Sequence, residues 1–384
     1  MSKLFISSIL LFLLMSLYAL PPEVLQKRFN EVTFVMTHNS ASVIDKENKR
    51  AASLREKALN LFPKSFKTSR EQLGKIIDSI HIFSPVADQQ QPIEKQLADG
   101  VRAFKIPMHV RIVDGKETLW SCHTVGAGQL DDLLKTADTQ LQQILPKGGL
   151  AGVTDALRES ILSLATPFKN DRCLLDTSHK PMSEIFNTLG KWLDDNPKEV
   201  LGMYLDIGLT SAQIQQHFNT MAKLLIDSGL SKKVLMHKPG DPWPTIEEMI
   251  TRNKRFILYG ATKGYWDKIG IYQEKDVGFG TNYNYPNLDK LKADSDNPKI
   301  DWGTAGKDKL FVVDNYTTVA ISGSPEGAKA ANSYDALKQR VINYSKFVGQ
   351  PVTFIMVDYY DEPAGKPGAI KLAEDINKGL VSLA

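Results

Sequence analysis

The chain has 384 residues, with 47 Lys and Arg against 44 Asp and Glu and a formal charge of +3. That balance excludes nucleic-acid binding as the main role, because neutralising phosphates needs a large local basic excess. With 42% hydrophobic and 24% charged residues, and 26 Gly and 19 Pro scattered along it, the sequence is not disordered, coiled-coil or fibrous.

Residues 1–20 read as a secretory signal peptide rather than as part of the fold. Met1-Ser2-Lys3 supplies a positive start, residues 4–20 an apolar run, and Pro21-Pro22 a helix-breaking exit. The run is slightly short for a membrane span and carries serines, so cleavage is expected in preference to anchoring. Residues 21–384 then form one exported domain, extracellular or periplasmic. In that setting an even cysteine count makes a disulfide between Cys122 and Cys173 the expected state, with two buried thiols as the alternative.

Apolar and β-branched runs follow at Val32–Thr37, Val101–Met108, Thr118–Cys122, Val200–Ile207, Arg255–Tyr259, Leu310–Asp314 and Val352–Tyr359, with a shorter one near Val277–Tyr283. Amphipathic segments such as Met182–Asp194, Ala212–Ser228, Ile246–Asn253 and Ser333–Phe347 lie between them. Strands alternating with helices predict an α/β protein, a (β/α)₈ TIM-type barrel. No GxGxxG follows the first strand, which disfavours an open dinucleotide-binding sheet. Ala41–Gln91 and Val125–Asp171 are long for barrel connections and are expected to be insertions after strands one and three. The Lys-rich stretch 45–75 reads as a solvated face that would also suit peripheral contact with an anionic membrane.

A barrel carries its chemistry at the carboxyl ends of its strands. The first strand ends Thr37-His38-Asn39-Ser40. The second alternates so that Lys105, Pro107 and His109 share one face. The third ends Leu119-Trp120-Ser121-Cys122-His123, the fourth ends at Asp206 and the last at Asp358. If the polar sides face inward, His38, Lys105, His109, His123, Asp206 and Asp358 converge. One imidazole can then take a proton while a second gives one, and Asp358 can orient the base. Lys105 would stabilise a developing anion, a set that suits phosphodiester cleavage. Three histidines would also suit zinc, but an ammonium on the same face works against a nearby cation. Tyr283 is a candidate to stack on a sugar ring and Trp266 a rim anchor, while His179, His217 and His237 are expected to be solvated.

At these residues the sequence resembles a known family. FVMTHNSAS, QQQPIEKQLADGVRAFKIPMH and LWSCHT, followed by RCLLD, WLDDNPKEVLGMYLDI, WPTIEEMI and FIMVDYYDEP, look like the phosphatidylinositol-specific phospholipase C X-domain family. The likeness is greatest to its secreted bacterial and fungal phosphodiesterase branch. The resemblance implies a phosphoric diester hydrolase or lyase acting on an inositol phospholipid or a related phosphodiester. It makes His38 the general base, His123 the general acid and Asp358 the residue that orients the base; where metal-free members carry an arginine as a fixed positive charge, Lys105 stands in a different register and is expected to serve in its place. Asn39, Arg102, His109, Asp206 and Tyr283 complete the expected substrate-binding set, Arg102 in a mainly structural part. Asn39 and Asp206 match calcium ligands of the metal-dependent branch. Two further acidic ligands of that branch are replaced by Lys105 and Pro107, so no metal cofactor is expected beyond a weak calcium site at Asn39 and Asp206. A barrel that binds a phosphate or inositol headgroup without turnover is the alternative.

Overall fold

The computed structural model describes residues 22–44, 56, 87–123, 173, 178–260, 266–318, 323–365 and 367–383. The expected signal peptide and nearly all of the two expected insertions lie outside the described residues.

Among the described residues eleven strands form one sheet: β1 (Phe34–Thr37), β2 (Ala103–Val113), β3 (Lys116–Ser121), β4 (Lys180–Pro181), β5 (Leu201–Ile207), β6 (Phe256–Gly260), β7 (Ile271–Gln273), β8 (Gly278–Gly280), β9 (Trp302–Gly303), β10 (Leu310–Asp314) and β11 (Phe354–Val357). Along the main path β7-β6-β5-β2-β1-β11-β10-β8 every pairing is parallel. Read around a circle this is chain order, opened between β7 and β8. Among the described residues no strand pairing joins those two, and the link between them is the single-turn helix Glu274–Val277. The sheet is therefore a curled, parallel-rich half-barrel.

One expected stave is corrected. The Thr118–Cys122 run does not stand between β2 and β5, which pair directly with each other through Ala103↔Gly202 to Met108↔Ile207. It belongs to β3, which folds back antiparallel on the outer half of β2, from Met108↔Ser121 to Val113↔Lys116. The turn between them is Asp114-Gly115, with φ of +50° and +74°, the left-handed pair that a two-residue hairpin demands. Period-two apolar patterning cannot distinguish this arm from a barrel strand.

The two faces of the sheet separate cleanly. Val35, Phe104, Ile106, Met203, Leu205, Leu258, Phe311, Val313, Ile355 and Val357 point outward into the main core. They pack there with Ile185, Leu189 and Leu193 of helix Met182–Asp195, Leu337, Val341 and Tyr344 of helix Tyr334–Val348, and Leu372 and Ile376 of helix Gly368–Asn377. The alternate residues Phe34, Met36, Ala103, Ile257, Tyr259, Leu310, Val312, Phe354 and Met356 fill the concave side. Helix starts are set locally, as in the reciprocal capping boxes Thr210/Gln213 and Thr245/Glu248. Trp266, expected at the rim, is fully buried, and its indole donates to the Ile214 carbonyl. His217 and His237 are likewise buried, not solvated, and His237 stacks on Trp243. No helix among the described residues is long and apolar enough to cross a membrane.

Candidate active site

The inward parity that fills the concave side with Phe34, Met36, Phe354 and Met356 puts the next residues of that parity, His38 and Asp358, at the carboxyl ends of adjacent strands β1 and β11. Met36 pairs with Met356, and the His38 amide donates to the Val357 carbonyl, so the two side chains emerge together. His38 Nδ1 lies 2.8 Å from Asp358 Oδ1. The residues that follow, Asn39 and Tyr359, both adopt φ of +43°, so the chain turns sharply off each strand just past its functional side chain. Such non-glycine conformations cost on the order of 1 kcal/mol or more each and persist where surrounding contacts fix them. Here the buried Tyr359 hydroxyl donates to the Ala87 carbonyl, and the Asn39 amide donates to Asp88 Oδ2 at 2.6 Å.

Asp88 is the residue that sequence patterning passed over. It sits at the end of the stretch assigned to the first insertion, yet that stretch is stitched to the strand ends. The Tyr359 amide donates to the Asp88 carbonyl, and the Gln89 side chain donates to the carbonyls of His38 and Val357. The Asp88 carboxylate is fully buried and lies between both histidines, with Oδ2 at 3.8 Å from His38 Nδ1 and 3.7 Å from His123 Nδ1. The two imidazoles are thereby bounded to an Nδ1–Nδ1 separation of at most about 7.5 Å. The only clue was the polar run Asp88-Gln89-Gln90-Gln91 directly before the helix Ile93–Ala98 that leads into β2.

His123 arrives from the return arm of the β2–β3 hairpin. A disulfide joins its neighbour Cys122 to Cys173, across a Cα–Cα distance of 5.2 Å. That bond closes a 51-residue separation, and on the chain-entropy view such a loop stabilises the fold by about 4 kcal/mol. It also ties down the short stub that carries His123.

Lys105, on the inward face of β2, forms an ion pair with Asp206 at 3.2 Å and lies 5.7 Å from the centre of the Tyr204 ring. Both partners are on β5, where Tyr204 and Asp206 stand in the parity opposite Lys105 and Pro107. A cavity of about 390 Å³ opens here, lined by Lys105, Asp206, Asp314, Tyr204, Tyr259, Glu274, Tyr283 and Trp302 among others. Tyr283 is at its exposed rim. Asp314 ends β10 in the inward parity; the strand was recognised from sequence but its terminal carboxylate was not counted. Tyr316 lies flat on His38, with ring centres 4.2 Å apart and planes 9° from parallel.

Burial, reinforced by the nearby Lys105 charge and by His123, holds the His38 pKa well below 6.5, so its imidazole is neutral near pH 7. Burial raises the Asp358 pKa well above the carboxylate range, and Asp88 adds to this while Lys105 opposes it. Burial likewise pushes Asp314 up to about 6 against the pull of Lys105 and Arg340. Burial works against the Lys105 ammonium, but Asp206, followed by Asp314, outweighs it and the pKa is raised. The site thus holds a neutral base and a permanent cation, the combination that acid–base chemistry on an anion requires.

The structure separates two expected residues from this cluster. Arg102 precedes β2 at its amino end, where its Nε donates to Glu199 at 2.9 Å, its Nη1 to the carbonyls of Leu97 and Val101, and its plane covers Trp192. Its donors are committed to the framework at the wrong end of the strand for substrate, so the substrate-binding assignment of Arg102 is corrected. His109 keeps the inward parity but lies beyond the cavity, its ring against Gly208, where a Cβ would meet it at 2.3 Å.

The PI-PLC X domain family, described as PI-PLC X 1, matches residues 168–368. The chain belongs to this family. The matched span holds Asp206, Asp314, Tyr316 and Asp358, while His38, Asp88, Lys105 and His123 precede it. Among solved structures, the phosphatidylinositol-specific phospholipase C from Listeria monocytogenes is similar at 13% identity and a TM-score of 0.45, with 92% of this chain and 95% of that one covered. A mutant of the Staphylococcus aureus enzyme is similar at 12% identity and a TM-score of 0.49, with 94% of each covered. No curated protein matches the sequence.

Proposed function

We propose that this PI-PLC X protein is a phosphodiesterase that cleaves an inositol phospholipid or related phosphodiester by intramolecular attack. The observation that carries this is the pair of imidazoles flanking one buried carboxylate, one of them held through Nδ1 by Asp358. With Nδ1 directed to Asp358, Nε2 of neutral His38 takes the proton of a substrate hydroxyl next to the phosphate. The hydroxyl oxygen bonds to phosphorus as the ester bond to the lipid oxygen breaks, and protonated His123 gives its proton to that leaving oxygen. A cyclic phosphate results, and water can open it with the two histidines in exchanged roles. Asp88 stabilises protonated His123, and Lys105 balances the charge that grows on the phosphoryl oxygens.

The donor set does not suit a calcium cage. Asp206 is engaged by the Lys105 ammonium and the Asn39 amide by Asp88, while a hard dication takes six or more oxygens. The reaction is therefore assigned to the residues alone, with Lys105 as the fixed cation. Export through residues 1–20, peripheral contact with a lipid surface, and barrel insertions over Ala41–Gln91 and Val125–Asp171 belong to the same proposal; the Cys122–Cys173 disulfide supports export.

His38→Ala and His123→Ala test the proposal. Each is expected to lower kcat by about 10²–10⁴-fold on phosphatidylinositol vesicles, with unchanged urea midpoints. Full turnover in both variants would refute it.

A further inference from the structure

Three of the groups that would run the reaction are also spaced like the ligands of one metal ion, and His123 stands 3.7 Å from one of them. We propose that His38, His123, Asp88 and Asp358 form a site for a divalent transition metal of the zinc class, and that its occupancy blocks the base. Ligand atoms of His38, Asp88 and Asp358 all lie within 4.8 Å of one another.

Around Asp88 Oδ2 the imidazole nitrogens stand at 3.8 and 3.7 Å, and His38 Nδ1 stands 2.8 Å from Asp358 Oδ1. The two longer separations are beyond a hydrogen bond, which would draw such atoms to about 2.7–3.2 Å. Two ligands on one ion with bonds of about 2.0–2.2 Å stand roughly 3–4 Å apart, which brackets the two longer values, while the 2.8 Å His38–Asp358 contact is a hydrogen bond that would open slightly to share the ion. Two imidazoles with two carboxylates is a donor set suited to zinc and its neighbours, not to calcium or magnesium.

Charge points the same way. Asp88 and Asp358 are both buried, and the Lys105 ammonium is paired with Asp206. A cation bound between Asp88 and Asp358 would offset the cost of burying two carboxyl groups side by side. Among the described residues Asp358 Oδ2 moreover has no hydrogen-bond partner. The outer contacts of a metal site are already in place, since Asn39 donates to Asp88 Oδ2 and the Gly323 amide to Asp88 Oδ1.

The inhibitory consequence rests on the proposed function. Ligation at Nδ1 of His38 forces the ring proton onto Nε2, with no net change in proton number, and the nitrogen that should accept the substrate proton no longer can.

Cobalt(II) titration of the metal-free mature protein tests the site without relying on turnover. One equivalent is expected to give the visible absorption of a four-coordinate ion, bleached by one equivalent of zinc. His38→Ala and His123→Ala should each weaken binding by more than the ~10–100-fold that outer contacts are worth, and His109→Ala should not. Absence of the band, or a band unchanged in both variants, overturns the site. On phosphatidylinositol vesicles, zinc should abolish turnover and a chelator restore it; cobalt binding with undiminished turnover overturns the inhibitory role. A protein that binds cobalt as predicted but turns over no phosphodiester when metal-free refutes the proposed function and leaves the site standing.

Discussion

Asp314 offers a quantitative check on the electrostatics of the site. Its carboxyl group is buried at the end of β10, where the Thr281 hydroxyl donates to Oδ2 at 3.4 Å. Burial lifts its pKa from 3.8 to about 6, although Lys105 and Arg340 pull the other way. A shift of that size corresponds to about 3 kcal/mol. The folded protein holds this proton more tightly than the unfolded chain. Stability is therefore intact below the unfolded pKa, falls as the pH rises through the window from 3.8 to about 6, and bears the full cost above it. Asp314→Asn keeps the shape and removes the ionisation. Urea unfolding at intervals from pH 4 to 8 should show the variant gaining up to about 3 kcal/mol near neutrality and little at pH 4. A stability difference that is constant across that range, or largest in acid, would refute the reasoning.

Two further consequences concern the base. Gly323 passes so close to Asp358 that a Cβ would meet Oδ2 at 2.2 Å, so Gly323→Ala should displace the carboxylate that orients His38. A misplacement approaching 1 Å costs about 10²-fold, to be read in kcat with the fold checked by circular dichroism; unaltered kcat would show that Asp358 does not position the base. Because burial, with Lys105 adding to it, lowers the His38 pKa, the acid limb of kcat/KM should lie below pH 6.5 and move upward in Lys105→Ala. A wild-type limb at or above 6.5 would contradict the neutral-imidazole assignment.

The alternation of strands and helices exposes the parallel sheet, and period-two parity gives Lys105, His38, Asp206 and Asp358 one shared side if the polar faces turn inward. Two things escaped the sequence for physical reasons. A hairpin arm and a barrel stave have the same apolar period, so β3 was given a place in the ring, although His123 still reaches the site from its end. Asp88 belongs to no strand; it is brought in by backbone bonds to Tyr359 and by Gln89, contacts between segments that a one-dimensional pattern does not encode. Arg102 is held by Glu199 and Trp192, in keeping with its expected structural part, although an arginine opening a strand reads the same when it faces a phosphate.

The most direct test of the central claim is phosphorus NMR of the protein incubated with phosphatidylinositol vesicles in the presence of a chelator. Attack by the neighbouring hydroxyl, with His38 and His123 passing the protons, predicts the resonance of a cyclic inositol phosphate accumulating before any open monoester. A monoester formed with no cyclic precursor, or turnover that appears only when calcium is supplied, would contradict it.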